Sequence, residues 1–275
     1  MHDGIHIALK AEEITSLFGL PITNTLLMSW LVMAVLIVLG VTVGRRLTKI
    51  PGKLQTFFET VFAFILDYLE DVLESRALAL RFFPLIATLF LFILLGNWFG
   101  LLPGIGSIYV EEHVAEATTH YVDPLHAPAQ VDDHAVVDDH HEESHAVSLF
   151  HPMSTDLNVT LALAIVAFLV IEFSGIFFVG FFKYFGKFFN FRSPIDFFVG
   201  LIELISELAR LISFSFRLFG NMFAGKTLIL VAMFFVPLLL PIPLMMYEVL
   251  VGFVQASIFA LLTLFFIKLA VSEAH

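Results

Sequence analysis

The chain has 275 residues, of which 59% are hydrophobic and only 14% charged, with 33 phenylalanines and a mean hydropathy of +0.94. A water-soluble domain carries roughly a quarter charged residues, so this composition excludes a soluble globular protein and makes the lipid bilayer the solvent. The net charge of −11 is local: 11 of the 25 acids and no Lys or Arg fall between Gly104 and Asp156, and the remaining 14 acids balance the 14 bases, which excludes a basic nucleic-acid binder.

No cysteine is present, which removes disulfide and thiol chemistry. Met1–Glu13 is mildly acidic and lacks the basic start of a signal peptide. Ile14–Gly44 is then free of charge, and its best span is 26–44, since about 20 apolar residues cross the hydrocarbon as a helix. In the stretch 54–80, Glu59, Asp67, Glu70, Asp71 and Glu74 interrupt a series of Phe, Leu and Val. That pattern predicts an amphipathic helix at the inner membrane surface, with a partly buried connector as the other reading. A second span is expected over 82–103, followed by an external acidic, His-rich loop over 104–156 and a third span over 157–182 that carries one acid, Glu172.

Positive charges orient the chain. Arg45, Arg46, Lys49 and Lys53 follow the first span, and Lys183, Lys187 and Arg192 follow the third, whereas the loop after the second has no base. The N-terminus and the acidic loop are therefore expected outside, and the basic loops in the cytoplasm.

The last part does not divide into simple spans. The stretch 196–236 contains no proline, and as one helix it extends roughly 60 Å at ~1.5 Å per residue, against a hydrocarbon ~30 Å thick. The stretch 244–271 is also too long to stand upright. Pro237, Pro241 and Pro243 between them mark a turn. The expected fold is an all-α integral membrane protein with about five membrane helices and one surface helix. Its last two helices are long and strongly tilted, and they form a hairpin.

Along 196–236, Glu203, Ser206, Glu207, Arg210, Ser213, Arg217, Gly220, Asn221 and Ala224 recur at spacings that place them on one helical face. A helix–helix interface glued by small and polar residues is one reading; a water-filled path is the other. Arg210 has Glu207 within one turn. Arg217 has only Ser213, Phe214, Gly220 and Asn221 there, so its counter-charge must come from another helix or another chain. Arginine does not release its proton in proteins, which suits Arg217 to a fixed positive barrier. On the last helix Glu248, Gly252 and Gln255 share a face, and with Asn221 and Lys226 they form a candidate polar cluster; a purely structural Lys226–Glu248 pair is the alternative.

Two other sequence patterns suggest different chemistry. Gly220–Thr227 satisfies the phosphate-loop pattern G-x-x-x-x-G-K-[ST], but the residues before it have helical polar periodicity rather than a buried strand. Nucleotide binding there is therefore not expected. The histidines between His113 and His151 can hold zinc alongside the acids or act as a proton-collecting surface. Their irregular spacing and the frequent Pro and Ala favour a solvated loop.

The segment Ser213-Phe-Ser-Phe-Arg217-Leu-Phe-Gly-Asn221-Met-Phe-Ala-Gly225 resembles the signature of the F-type ATP synthase subunit a. Gly96-Asn97-Trp-Phe-Gly-Leu-Leu-Pro103, Thr155-Asp156-Leu-Asn158-Val-Thr160 and Gln255-Ala-Ser-Ile-Phe259 agree with it. The likeness runs from about Leu26 to the C-terminus, apart from the insertion Ser107–Phe150. It implies a stator subunit, not an enzyme by itself and without a cofactor or metal, in the bacterial cytoplasmic (inner) membrane. Its implied partners are a ring of proteolipid c subunits, the peripheral-stalk subunit b and the other synthase subunits. Arg217 would face the ring carboxyl. Asn221, Lys226, Glu248 and Gln255 would line the outer half-channel, and Glu203, Ser206 and Glu207 the inner one. The family commonly pairs an acid with a histidine across the positions of Lys226 and Glu248, so Lys226 is a departure. A secondary transporter or a free-standing channel is the alternative function, although transporters often show repeated halves and none is visible here.

Overall fold

The computed structural model describes residues 13–17, 20–45, 52–102, 109–111, 146–148, 150–188, 194–237 and 239–272. Within them the fold is helical: α1 Asn24–Arg45, α2 Lys53–Leu73, α3 Arg76–Gly100, α4 Leu157–Val179, α5 Phe181–Phe188, α6 Pro194–Phe235 and α7 Pro241–Ser272. Five of these, α1, α3, α4, α6 and α7, are long and apolar enough to cross a membrane. Two small antiparallel ribbons, not foreseen from the sequence, pair β1 Glu13–Leu17 with β2 Leu20–Thr23, and β3 Tyr109–Glu111 with β4 Ala146–Ser148.

Several boundaries differ from expectation, each for a local reason. The surface helix expected over 54–80 stops at Leu73, because Glu74 turns left-handed (φ 54°, ψ 19°) and its N–H closes on the Glu70 carbonyl. Ser75 is extended, and residues 76–80 open α3 instead. The third span ends at Gly180, whose φ of 90° is easy only for glycine. The short helix α5 follows, with Tyr184 folded back against Gly175 on α4. Pro241 and Pro243 do not lie between the last helices but in the first turn of α7, where a missing N–H is no loss. Pro194 opens α6 in the same way. With 42 and 32 residues, α6 and α7 extend roughly 63 and 48 Å.

The core lies where α3, α4, α6 and α7 meet. Ala164, Ala167, Ala256 and Ala260 are buried there beside Ile93, Ile171, Leu218 and Leu264, so small side chains let the backbones approach closely. Outward-facing Phe173, Phe177, Phe182, Ile195 and Phe234 leave an apolar perimeter. One end of the bundle gathers the start of α1, the end of α3, residues 150–156 and the Lys226 turn of α6. The other end carries Arg45, Arg76, Arg81, Lys183 and Lys268, with Lys268 Nζ 2.7 Å from Glu74.

Candidate functional site

Residues 150–156 seal the first of those ends. Met153–Thr155 form one 3-10 turn, and Asp156 after it caps α4 by accepting from the Asn158 N–H at 2.9 Å. Its other oxygen accepts from Thr25 Oγ1 at 2.8 Å, which ties α1 to the same carboxylate. Ser154 donates to Asn97 Oδ1 at 2.6 Å, and Asn97 Nδ2 donates to the Gly252 carbonyl at 3.4 Å. Trp98 Nε1 donates to the Val249 carbonyl at 3.0 Å. Gly96 and Gly100 are required here: a Cβ on Gly96 would overlap Met153, and one on Gly100 would overlap the Pro152 ring. The Thr25–Asp156, Ser154–Asn97 and Asn97–Gly252 bonds each join different elements, so the junction fixes α1, α3, α4 and α7 together.

On α6 the polar residues foreseen as one face follow the edge of the buried side. Ser206, Ser213, Arg217, Gly220, Asn221 and Ala224 are exposed, whereas Glu207, Phe214, Leu218 and Met222 are buried. Arg210 is satisfied within the chain. It bonds to Glu207 at 2.9 Å and lies over the Phe266 ring of α7 at 3.9 Å. Arg217 is not. Among the described residues its only polar side-chain contact is Ser213 Oγ at 3.4 Å, and no carboxylate pairs with it. Asn221 donates to the Arg217 carbonyl at 2.9 Å.

The helices α6 and α7 run antiparallel, with Phe214 against Phe259 and Gly225 against Glu248. Gln255 therefore lies level with the Arg217–Asn221 turn, buried at 9% exposure. The Glu248 side chain lies so close to Gly225 that a Cβ there would collide with its carboxylate, and Glu248 Oε1 has no hydrogen-bond partner among the described residues. Lys226 projects to the other side of α6 from Arg217, since nine residues at ~100° each bring it half a turn round. There its ammonium contacts His151, reaching Nδ1 at 3.0 Å and Nε2 more closely. Burial first, and then the Lys226 charge, push the His151 imidazole down to about 4.

The structure thus brings Glu248 and Gln255 onto one buried face of α7, and Arg217 and Asn221 onto one exposed turn of α6. Glu207 is committed to Arg210, while Glu203 is half-buried and Ser206 exposed nearer the basic end. Sequence reasoning counted His151 with the loop histidines and missed its contact with Lys226, 75 positions away. It also missed Tyr184, whose hydroxyl donates to Glu172 at 2.6 Å and answers the one acid of α4. The phosphate-loop pattern 220–227 lies wholly within continuous α-helix, which has no loop to wrap a phosphate. The His-rich stretch 112–145 lies outside the described residues; among the described residues, no three His, Asp or Glu are grouped to hold a metal.

Five apolar helices of spanning length, a polar junction at one end and a charged edge on the longest helix define a polytopic helical membrane protein. The family model described as ATP synthase A chain matches residues 26–268, and the chain belongs to that family. It is similar to ATP synthase subunit a 2 of Syntrophotalea carbinolica, at 33% identity over 98% of this chain and 94% of that one. It is similar at 32% identity to ATP synthase subunit a 3 of Pelobacter propionicus and to ATP synthase subunit a of Citrifermentans bemidjiense, each over 90% of this chain and 87% of the relative.

Proposed function

We propose that this chain is the proton-translocating stator subunit of an F-type ATP synthase in the bacterial cytoplasmic membrane. It works against a rotating ring of c subunits and is held by the peripheral-stalk subunit b. The observation that carries this reading is Arg217: a guanidinium on the exposed edge of an apolar helix, without a carboxylate among the described residues of its own chain. A charge at membrane depth needs a partner, and a ring carboxyl arriving from a neighbouring chain supplies it. Because arginine keeps its proton, Arg217 favours the carboxylate form of each arriving ring site and blocks direct leakage.

The bases gathered at the Arg45–Lys268 end support an orientation with that end in the cytoplasm. The N-terminal ribbon and the acidic loop are then outside, and α2 lies along the inner surface. The lengths of α6 and α7, well beyond ~30 Å of hydrocarbon, support a strongly tilted hairpin that follows the curved ring. Asn221, Lys226, Glu248 and Gln255 line the outer half-channel. Glu203 and Ser206 line the inner one, with Glu207 at its wall, locked to Arg210. Each proton descending 100 mV supplies ~2.3 kcal/mol.

The test uses Arg217→Ala and Arg217→Lys in the whole complex, reconstituted in vesicles. Both are expected to assemble and to lose gradient-driven ATP synthesis. Lysine fails as well because its compact ammonium lacks the planar fork of guanidinium. Near-normal coupled synthesis in either variant overturns the proposal.

A further inference from the structure

Arg81 stands in the second turn of α3, close to the basic end of the bundle, and its side chain is held rather than loose. The guanidinium lies over two rings of α4, 4.7 Å from the Phe177 centroid and 5.3 Å from that of Phe178. Such a contact fixes the position of the cation but consumes none of its N–H donors. Among the described residues no carboxylate pairs with Arg81: Glu70 is bonded to Arg76, Glu74 to Lys268 and Glu172 to Tyr184. The residue is exposed all the same, and Lys183, exposed on α5 one position before the buried Tyr184, adds a second base where α4 ends. From the level of Arg81, α4 presents an apolar stripe toward the middle of the span. Val166, Leu169, Phe173 and Phe177 are spaced by three or four residues and share one face. All are exposed, Phe173 and Phe177 at 65% and 70%. At ~1.5 Å per residue the stripe from Phe177 to Val166 is roughly 16 Å long, about half of the ~30 Å hydrocarbon. A fixed guanidinium without a counter-charge thus heads an apolar track one leaflet long.

We infer that this edge of α3 and α4 is a binding site for an anionic phospholipid of the leaflet at the basic end. Its phosphate sits on Arg81, and one acyl chain lies along Phe177, Phe173, Leu169 and Val166. Basic pockets between spanning helices hold anionic headgroups in this way. Arginine suits the task, because its planar fork meets two phosphate oxygens at once, and the two phenylalanine rings already hold that fork in place. The apolar track selects a lipid over free phosphate. Inorganic phosphate gains only the guanidinium, whereas a lipid also covers Phe173 and Phe177. A spanning helix of another chain would need an acid at the depth of Arg81 to take the same place. The inference uses none of the residues assigned to the proton path and requires only that the chain spans a bilayer, so it stands apart from the stator reading.

The experiment photolabels the assembly as purified from the membrane. It is placed in phosphatidylcholine vesicles doped with a phosphatidylglycerol that carries a diazirine midway along one acyl chain. After irradiation and digestion, mass spectrometry locates the labelled residues of this chain. Label is expected on the Val166–Phe177 stretch of α4. Excess unlabelled phosphatidylglycerol should displace it, whereas the same amount of phosphatidylcholine, or of inorganic phosphate, should not. Arg81→Gln is expected to lose at least ~5-fold of the label, the worth of one basic residue at an anionic leaflet. Arg76→Gln removes the same charge at the same end, but from a residue bonded to Glu70, and should keep the label. Equal displacement by the two lipids in the unaltered assembly overturns the site and leaves only bulk lipid at this edge, as does equal labelling of Arg81→Gln and Arg76→Gln. Displacement by inorganic phosphate overturns the lipid as occupant. Absence of label from the stripe means that another chain covers it, which overturns the inference as well. The displacement arm needs no variant, so it decides the matter whether or not Arg81→Gln assembles.

Discussion

Gly225→Ala probes the Glu248 niche without altering a charge. The added methyl would occupy the volume now held by the Glu248 carboxylate, so one of the two must move. The overlapping atoms are the far end of a flexible side chain, and Gly225 lies inside a helix, so the backbone has no reason to yield. Alanine gains about 0.8–1 kcal/mol over glycine in a helix interior. Overpacking costs about 1–3 kcal/mol, reduced here because only a side-chain terminus is displaced. The net change is about 0–2 kcal/mol, and the complex is expected to assemble. The carboxylate, however, is expelled from the face it shares with Gln255. Proton pumping and synthesis in vesicles should fall at least ~10-fold, matching Glu248→Gln at normal abundance. A second change, Glu248→Asp, shortens the side chain by one methylene and should recover part of the rate in the Gly225→Ala background. Normal turnover of Gly225→Ala at normal abundance, with Glu248→Gln also unaffected, would falsify a role for this niche in the proton path.

Asp156→Ala removes both the α4 cap and the acceptor for buried Thr25. It is expected to cost about 2–4 kcal/mol and to lower complex abundance and thermal midpoint, whereas Asp156→Asn, which keeps an acceptor, loses much less. Because Glu111 and Ala146 are paired across the β3–β4 ribbon, residues 112–145 can be replaced by a two-residue turn. Coupling at neutral pH should survive, and its complete loss in an assembled complex refutes a dispensable loop. Burial and Lys226 depress His151, so the folded state prefers the neutral ring. The 150–156 segment should loosen as pH falls through ~6.5 toward 4, by up to roughly 3 kcal/mol at ~1.4 kcal/mol per tenfold. Proteolysis or hydrogen exchange of that segment reports it, and His151→Gln should remove the pH dependence.

The features legible in the sequence are those set by neighbours along the chain. Spanning-length apolar runs predict α1, α3, α4, α6 and α7, and helical spacing predicts both the Glu207–Arg210 pair and the isolation of Arg217. Features set by approach in space are not legible. Nothing near His151 points to Lys226, and nothing near Gly225 points to Glu248. Glu74 adopts a left-handed conformation without the glycine that usually announces one, so the break between α2 and α3 has no local signature. The prolines were visible, but their role depends on position: at the first turn of α7 they begin a helix, although the same residue in the interior would end it.

The junction at residues 153–156 has a consequence for biogenesis. Asn97 and Thr25 meet their partners Ser154 and Asp156 only when those residues have been made, and Ser29 meets Met153 at the same moment. Some 50 residues of sequence separate Gly100 from this clasp, which at ~5–20 residues per second delays it by roughly 3–10 s. During that interval the first spans sit in the bilayer with polar side chains awaiting their mates, held apart from mature packing. A longer insertion ahead of residue 153 lengthens that interval, and a nascent subunit stalled before it lacks the partners of Asn97 and Thr25.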